Sequence, residues 1–106
     1  MVFYVNGTMW HVIYCNPLSD NLRRSDGSIT LGVTDNATKC VYISNRLPNQ
    51  QHERVLCHEL THVICFEYDI QLPIDTEEWL CDFMSLHGKE IIYLLDDLLG
   101  VLQKKA

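Results

Sequence analysis

The chain has 106 residues, of which 47% are hydrophobic, and it carries a formal net charge of −6 at pH 7 with only 8 lysine and arginine residues. This length supports one modest core, so we expect a single domain over residues 1–106. The basic residues form no run longer than Arg23-Arg24 or Lys104-Lys105, and no apolar run approaches the roughly 20 residues that cross a bilayer, which argues against a direct nucleic-acid ligand and against membrane insertion.

The first elements predicted along the chain are strands near residues 2–5 and 8–15. Aromatic and β-branched residues flank Asn6-Gly7 on both sides, and this pair favours the type I′ turn that joins two antiparallel strands. Residues 16–27 collect proline, asparagine, aspartate, serine and glycine. That composition predicts a surface loop after the first hairpin.

A second hairpin is predicted near residues 28–34 and 38–44, on either side of Asp35-Asn36-Ala37. In its second strand, Val41 and Ile43 alternate with more polar residues, as in a strand with one buried face. The first half of the chain therefore predicts an antiparallel sheet of about four strands, built from two hairpins.

The second half of the chain is predicted to be helical. One helix begins near residue 49 or 50 and ends near residue 68, because apolar residues recur there at i, i+4, i+7 and i+8 and define a core face. The residues of this face are Leu56, Leu60, Val63 and Ile64. A second helical segment begins near Asp75, after Pro73, and continues to the C-terminus, with Gly88 either breaking or bending it.

The first of these helices contains an H-E-x-x-H pattern formed by His58, Glu59 and His62. Side chains four residues apart lie one above the other on a helix face, so the two imidazoles can bind one ion. Glu59 flanks the pair and can hold a water molecule without ligating the ion. The competing interpretation is that the two histidines fall four apart by chance, but the intervening glutamate and the opposite apolar face favour a metal site.

A catalytic zinc site usually has three protein ligands and one open position, so a third ligand is expected. A pattern with glycine and histidine three and six residues after the second histidine is excluded, because Cys65 and Tyr68 occupy those positions. The segment EEWLCD provides Glu77 and Glu78, with Asp82 four residues after Glu78. If Glu78 is the ligand, Asp82 lies one turn along the same face, where it can accept a hydrogen bond from a ligand histidine.

Other roles for these residues remain open from the sequence. Glu78 is also the last residue of a D-x-x-E pattern that begins at Asp75, which is the arrangement of a helix capping box. Glu77 is the alternative ligand if the second helix is rotated by one residue, and is otherwise expected to be solvated. His87 is a further alternative ligand, but a partly exposed helix histidine is the preferred interpretation of it.

The cysteines occur in an odd number and form no C-x-x-C pair. This usage fits a reducing compartment such as a bacterial cytoplasm, which is the predicted location. We interpret all five as reduced thiols that pack as small apolar residues, rather than as metal ligands. They are Cys15, Cys40, Cys57, Cys65 and Cys81.

Five residues together resemble the active site of the gluzincins, thermolysin-like zinc peptidases in which a glutamate on a second helix, followed by an aspartate four residues later, completes the site. They are His58, Glu59, His62, Glu78 and Asp82. The short spacing between the two helices' motifs and the length of the chain resemble the minigluzincins and the ImmA/IrrE-type metallopeptidases of phages and mobile elements. The resemblance covers about residues 38–90, and it departs from the ImmA/IrrE pattern at Trp79 and Leu80, where small residues are common.

This resemblance implies a small zincin-like domain of the α+β class that acts as a zinc metallopeptidase. His58, His62 and Glu78 would bind Zn²⁺, and Asp82 would orient a ligand histidine. Glu59 would activate a zinc-bound water for attack on a peptide bond. The expected partner is a protein or peptide substrate, such as a regulatory protein, held along the strand near 38–44 if that strand is a sheet edge.

Two other functions are compatible with the sequence. A non-catalytic, zinc-stabilised binding or regulatory protein of phage type would keep the metal without hydrolysis. A metal-free scaffold would bind no ion, and a chelator would leave its melting temperature unchanged.

For a peptidase, the candidate oxyanion donors are Tyr68, His87 and Tyr93, which lie in or after the site helices.

Overall fold

The structure, a computed structural model, describes the backbone of residues 1–105 and the side chains of residues 1–100. Within these residues, four strands form one sheet and two helices follow. The strands are β1 (Val2–Val5), β2 (Thr8–Cys15), β3 (Gly32–Asp35) and β4 (Cys40–Ser44), and the helices are α1 (Asn49–Glu67) and α2 (Ile74–Lys105). This order of elements confirms the predicted α+β class.

The first hairpin forms as the sequence predicts. Strands β1 and β2 pair antiparallel, with Val5 opposite Thr8 next to the turn. The two turn residues have positive φ angles, 49° at Asn6 and 78° at Gly7. A type I′ turn requires positive φ at both positions, and asparagine and glycine adopt it with the least strain.

The second hairpin also forms, with β3 antiparallel to β4. Its first strand is shorter than predicted, because β3 begins at Gly32 and not near residue 28. The preceding residues close a loop instead, since Ile29 forms an isolated bridge with Arg23 and the Thr30 N–H donates to the Leu22 carbonyl. Leu22 is wholly buried, which anchors this loop to the body of the protein.

The two hairpins meet through a parallel pair of strands. The strand order is β1-β2-β4-β3, and β2 pairs with β4 in parallel, with Val12 opposite Val41. The prediction of an entirely antiparallel sheet is therefore wrong at its centre, and so is the placement of residues 38–44 at a sheet edge. Strand β4 occupies the centre because Val41 and Ile43 are wholly buried there, which leaves β3 as the edge strand.

The core lies between the sheet and α1. Its buried apolar residues are Trp10, Val12, Val41, Ile43 and Val63. Trp10 also ties the end of α1 to the sheet, because its indole N–H donates to the Glu67 carboxylate at 2.8 Å. The same carboxylate contacts Lys39 Nζ at 3.0 Å, so the end of the helix is bound to β2 and to the turn before β4.

The buried face of helix α1 differs in part from the predicted face. Val63 is wholly buried and Leu56 packs against the core, as expected, but Ile64 is 41% exposed. Glu59 and His62, predicted to lie away from the core, are only 7% and 8% exposed. Their polar atoms can be buried because each side chain has a hydrogen-bond partner on β3 or α2.

Helix α2 packs antiparallel to α1 and continues through Gly88 without a break. Gly88 is buried, and a Cβ at this position would lie 3.1 Å from Met84 Cε.

The five cysteines are free thiols, as predicted, and three of them are buried. In the part of the chain that the structure describes, no helix has an apolar stretch long enough to cross a membrane.

Candidate metal centre

The H-E-x-x-H pattern lies in the middle of α1, and its two imidazoles point at one carboxylate of α2. The Nε2 atom of His58 lies 3.1 Å from Oε2 of Glu78, and the Nε2 atom of His62 lies 3.0 Å from Oε1 of the same residue. The ring centroids are 5.1 Å apart. One turn of α1 therefore places two nitrogen donors next to a shared carboxylate.

The far nitrogens of both rings contact two further carboxylates of α2. The Nδ1 atom of His58 lies 2.9 Å from Asp82 Oδ1, and that of His62 lies 2.6 Å from Glu77 Oε2. The helices are antiparallel, so His58, which precedes His62 on α1, contacts Asp82, which follows Glu77 on α2. Such carboxylates fix the tautomer and the orientation of metal-binding histidines.

The donor set of this cluster fits a metal ion between the Nε2 atoms and Glu78. A neutral imidazole has one N–H and one lone pair, yet both nitrogens of His58 and of His62 face a carboxylate oxygen. Beside ionised carboxylates, each neutral ring therefore directs the lone pair of one nitrogen at the lone pairs of an oxygen. A bound cation removes this conflict, and two imidazoles with a carboxylate are ordinary zinc donors.

Glu59 lies beside the cluster without joining it. Its Oε1 accepts a hydrogen bond from the Thr34 hydroxyl at 3.0 Å, and its Oε2 lies 4.0 Å from His58 Nε2. Thr34 belongs to the edge strand β3, so the sheet holds the carboxylate in place. Burial raises the pKa of Glu59, and the hydrogen bond from Thr34 opposes this rise only in part.

A buried thiol adjoins the histidines. Cys81 is wholly buried on α2, and its Sγ and one nitrogen each of His58 and His62 all lie within 4.8 Å of one another. Burial, followed by the nearby Glu78 carboxylate, raises the pKa of Cys81 to about 12. The side chain is therefore a neutral thiol at pH 7 in the metal-free protein.

The cluster opens into a cleft bordered by β3 and the loop before it. One part of the cleft, about 350 Å³ in volume, extends along α1 to Arg54 and is walled by Gly32. A second part, of about 720 Å³, extends past Val33 towards Ile74 at the start of α2. The edge of β3 thus runs beside Glu59, where an extended chain can approach it.

The structure brings the predicted ligands and the predicted base together, and among the other candidates it adds Glu77 through His62 Nδ1 but not His87, Tyr68 or Tyr93. The Glu78 carboxylate contacts both histidines. The capping-box interpretation would need the same carboxylate at the start of α2. His87 contacts Glu90 at 3.3 Å on an exposed part of α2, outside the cluster. Neither Tyr68 nor Tyr93 is among the residues that line the cleft.

Three residues near the site have contacts that the sequence interpretation missed. Glu77 contacts His62, Thr34 holds Glu59, and Cys81 adjoins both histidines. A signal for Glu77 existed, because a second ligand histidine needs a carboxylate of its own. No local signal exists for Thr34 or Cys81, since sheet order and helix pairing place them at the site.

The comparison with curated proteins gives no significant match. The family model Peptidase M78, described as the IrrE N-terminal-like domain, matches residues 10–93. This range covers strands β2 to β4, the whole of α1 and the part of α2 that carries Glu77, Glu78 and Asp82. The chain therefore belongs to the M78 peptidase family, and the predicted relationship to the ImmA/IrrE-type metallopeptidases is confirmed.

Proposed function

We propose that the protein is a zinc-dependent metallopeptidase that hydrolyses peptide bonds in a protein or peptide substrate. The observation that carries this proposal is the approach of His58 and His62 to the shared carboxylate of Glu78, with Oε2 of Glu59 4.0 Å from the first imidazole. Membership of a peptidase family supports the same reaction class.

His58, His62 and Glu78 are the proposed zinc ligands. Bound zinc would supply Lewis acidity towards the substrate carbonyl and would lower the pKa of a water molecule. Asp82 and Glu77 orient the two imidazoles through their Nδ1 atoms. With Glu59, four carboxylates surround the two rings, and this concentration of negative charge favours a divalent cation.

Glu59 is the proposed general base. The Thr34 hydroxyl occupies Oε1, so Oε2 remains available on the side of the histidines. Burial raises the pKa of this carboxyl group, which makes its carboxylate a stronger proton acceptor than an exposed one. In the proposed reaction Glu59 accepts a proton from the attacking water and then donates it to the leaving amine.

The outer edge of β3 is the proposed surface for an extended substrate. Within the sheet, β3 pairs with β4 alone, so the backbone groups of its other side can hydrogen-bond to a peptide strand. Thr34 joins this strand to the Glu59 carboxylate. A peptide bound along β3 would therefore lie next to the proposed base.

The variant Glu59→Gln tests the proposed reaction. Zinc-loaded wild type is expected to cleave members of a proteome-derived peptide library, detected as new termini by mass spectrometry. The variant should retain the same zinc content but lose about 10²–10⁴-fold in rate, because an amide cannot accept the proton.

Glu53→Gln is the matched control, because Glu53 lies on the same helix but contacts Lys89, away from the histidines. It should cleave the library as wild type does. Equal cleavage by wild type and Glu59→Gln would exclude Glu59 as the base. Zinc binding by wild type without any cleavage would favour the alternative function, a zinc-stabilised binding or regulatory protein.

A further inference from the structure

The buried thiols of Cys65 and Cys81 differ from the other three thiols, because neither lies within hydrogen-bond distance of a backbone carbonyl oxygen among the described residues. The thiols of Cys15, Cys40 and Cys57 each lie 3.4–3.7 Å from a backbone carbonyl oxygen. The Cys65 thiol lies beside the Glu77 carboxylate, which helps burial to raise its pKa. Cys81 is wholly buried, and its thiol is the one that adjoins the two histidines.

The Cys81 thiol lies close to ring nitrogens of two proposed zinc ligands. Its Sγ and one nitrogen from each of His58 and His62 lie within 4.8 Å of one another. Cys81 follows Glu78 by three residues on α2, so both side chains are on the face that meets α1. Two nitrogen donors and a sulfur donor thus adjoin each other, and His62 and Cys81 are buried.

We propose that Cys81 is a metal ligand, so that the histidine pair holds its ion with either of two partners. Glu78, whose side chain is 44% exposed, provides a carboxylate on the solvent side, and Cys81 provides a thiolate on the buried side. This inference rests on the proposed function only in requiring that His58 and His62 bind a metal.

The ligation step is an exchange of a proton for a metal ion. The S–H bond of Cys81 breaks, the S–metal bond forms, the proton leaves to solvent, and no atom changes its oxidation state. Thiolate and imidazole donors suit zinc and its spectroscopic substitutes cobalt(II) and cadmium(II), whereas carboxylate and water donors suit magnesium and manganese. The site should therefore retain thiophilic metals in preference to hard ones.

Absorption of the cobalt(II)-loaded protein tests the proposal without any substrate. Wild type should show an intense thiolate-to-cobalt charge-transfer band in the near ultraviolet. Cys81→Ser should lose this band while still binding cobalt through the histidines and Glu78. Cys65→Ser is the matched control, because Cys65 is a second buried cysteine close to the site, and it should keep the band.

X-ray absorption of zinc-loaded wild type gives a test that does not depend on the folding of a variant. Ligation by Cys81 predicts a sulfur shell at about 2.3 Å in addition to nitrogen and oxygen at about 2.0–2.1 Å. A shell of nitrogen and oxygen alone, or a cobalt band that survives in Cys81→Ser, would overturn the proposal.

Metal content measured on the same samples separates this proposal from the proposed function. About one zinc per chain without a sulfur shell would remove Cys81 as a ligand and leave the histidine and glutamate site intact. A wild-type protein that binds no metal would refute both proposals.

Discussion

At the scale of the single residue, Glu59 combines two requirements that oppose each other. A base beside the histidines must be an ionised carboxylate, yet it is 7% exposed, and burial disfavours its charged form. The Thr34 hydroxyl offsets part of this penalty by donating to Oε1. The proposed active site is thus expected to reduce the stability of the metal-free fold.

Glu59→Gln is therefore expected to raise the stability of the metal-free protein. The pKa of Glu59 is raised in the folded state above its ordinary value of 4.5, which applies to the unfolded chain. Wild type therefore loses stability as the pH rises from 4.5 to the folded-state pKa, because the unfolded chain releases its proton first. The gain in melting temperature from the substitution should be full above this interval and absent below pH 4.5. Thermal unfolding in chelator across this pH range measures it, and a gain that is independent of pH would contradict the explanation.

Thr34→Val tests how far the Thr34 hydroxyl lowers the pKa of Glu59. Loss of the hydroxyl removes a hydrogen bond that lowers the pKa of Glu59, so this pKa should rise further. The acid limb of the pH profile of kcat/KM should then shift to higher pH, with little change in rate well above the limb. Thr34→Ser keeps the hydroxyl and should keep the wild-type profile. An unshifted limb in the valine variant would remove Thr34 from the tuning of the base.

At the scale of the elements, the site depends on how closely α1 approaches the edge strand. A Cβ at Gly32 of β3 would lie 2.8 Å from Val55 Cγ1 and 3.0 Å from Glu59 Cγ. These two side chains project from α1 onto β3, so the absence of a side chain at Gly32 allows the close approach. The need here is for space, since Gly32 is not among the glycines with positive φ.

Gly32→Ala is expected to lower the free energy of unfolding by about 1–3 kcal/mol, because α1 or its side chains must move away from the strand. It should also reduce cleavage, since Glu59 is one of the displaced residues. Urea denaturation and the library assay measure the two effects. An alanine variant with wild-type stability and activity would show that the approach is not tight.

Gly88→Ala is the informative comparison, because this glycine also lies in a packed position. Here the nearest atom to a new Cβ is the terminal methyl of Met84, at 3.1 Å, which can move by a few tenths of an ångström. Alanine is favoured over glycine inside a helix by about 1 kcal/mol. The variant should therefore be as stable as wild type or more stable, and a loss comparable to that of Gly32→Ala would show that Met84 cannot adjust.

At the scale of the whole molecule, the core is small for the length of the chain. The large apolar residues of α2 from Ile91 to Leu99 are between 44% and 60% exposed, so this part of the helix adds little buried surface. The molecule is correspondingly elongated, with extents of 56 × 31 × 27 Å. A fold with a limited core is expected to draw a substantial part of its stability from any ligand that binds the native state alone.

Zinc is therefore expected to raise the melting temperature, and a chelator to reverse the change. At a free zinc concentration 100 times the Kd the gain is about 2.7 kcal/mol, or roughly 4–8 °C for each kcal/mol in a domain of about this size. Glu78→Ala should weaken zinc retention and reduce this shift. Differential scanning calorimetry with and without zinc measures it, and the metal-free scaffold interpretation predicts no shift in either protein.

The sequence by itself determined the features that depend on neighbouring residues. Asn6-Gly7 specifies the first turn through positive φ angles, and the helical period places His58 and His62 on one face of α1. The helical period likewise places Glu78 and Asp82, four residues apart, on one face of α2. These relations involve residues within a turn of one another, so the local backbone geometry is sufficient to infer them.

Only the tertiary structure decided which distant elements meet. The parallel pairing of β2 with β4 buries Val41 and Ile43 at the centre of the sheet. Neither the turn residues nor the alternation of apolar residues in the sequence specifies this pairing. The pairing makes β3 the edge strand and brings Thr34 to Glu59. The antiparallel packing of α1 and α2 similarly brings Cys81 to the histidines, because contacts between elements depend on how the whole core packs.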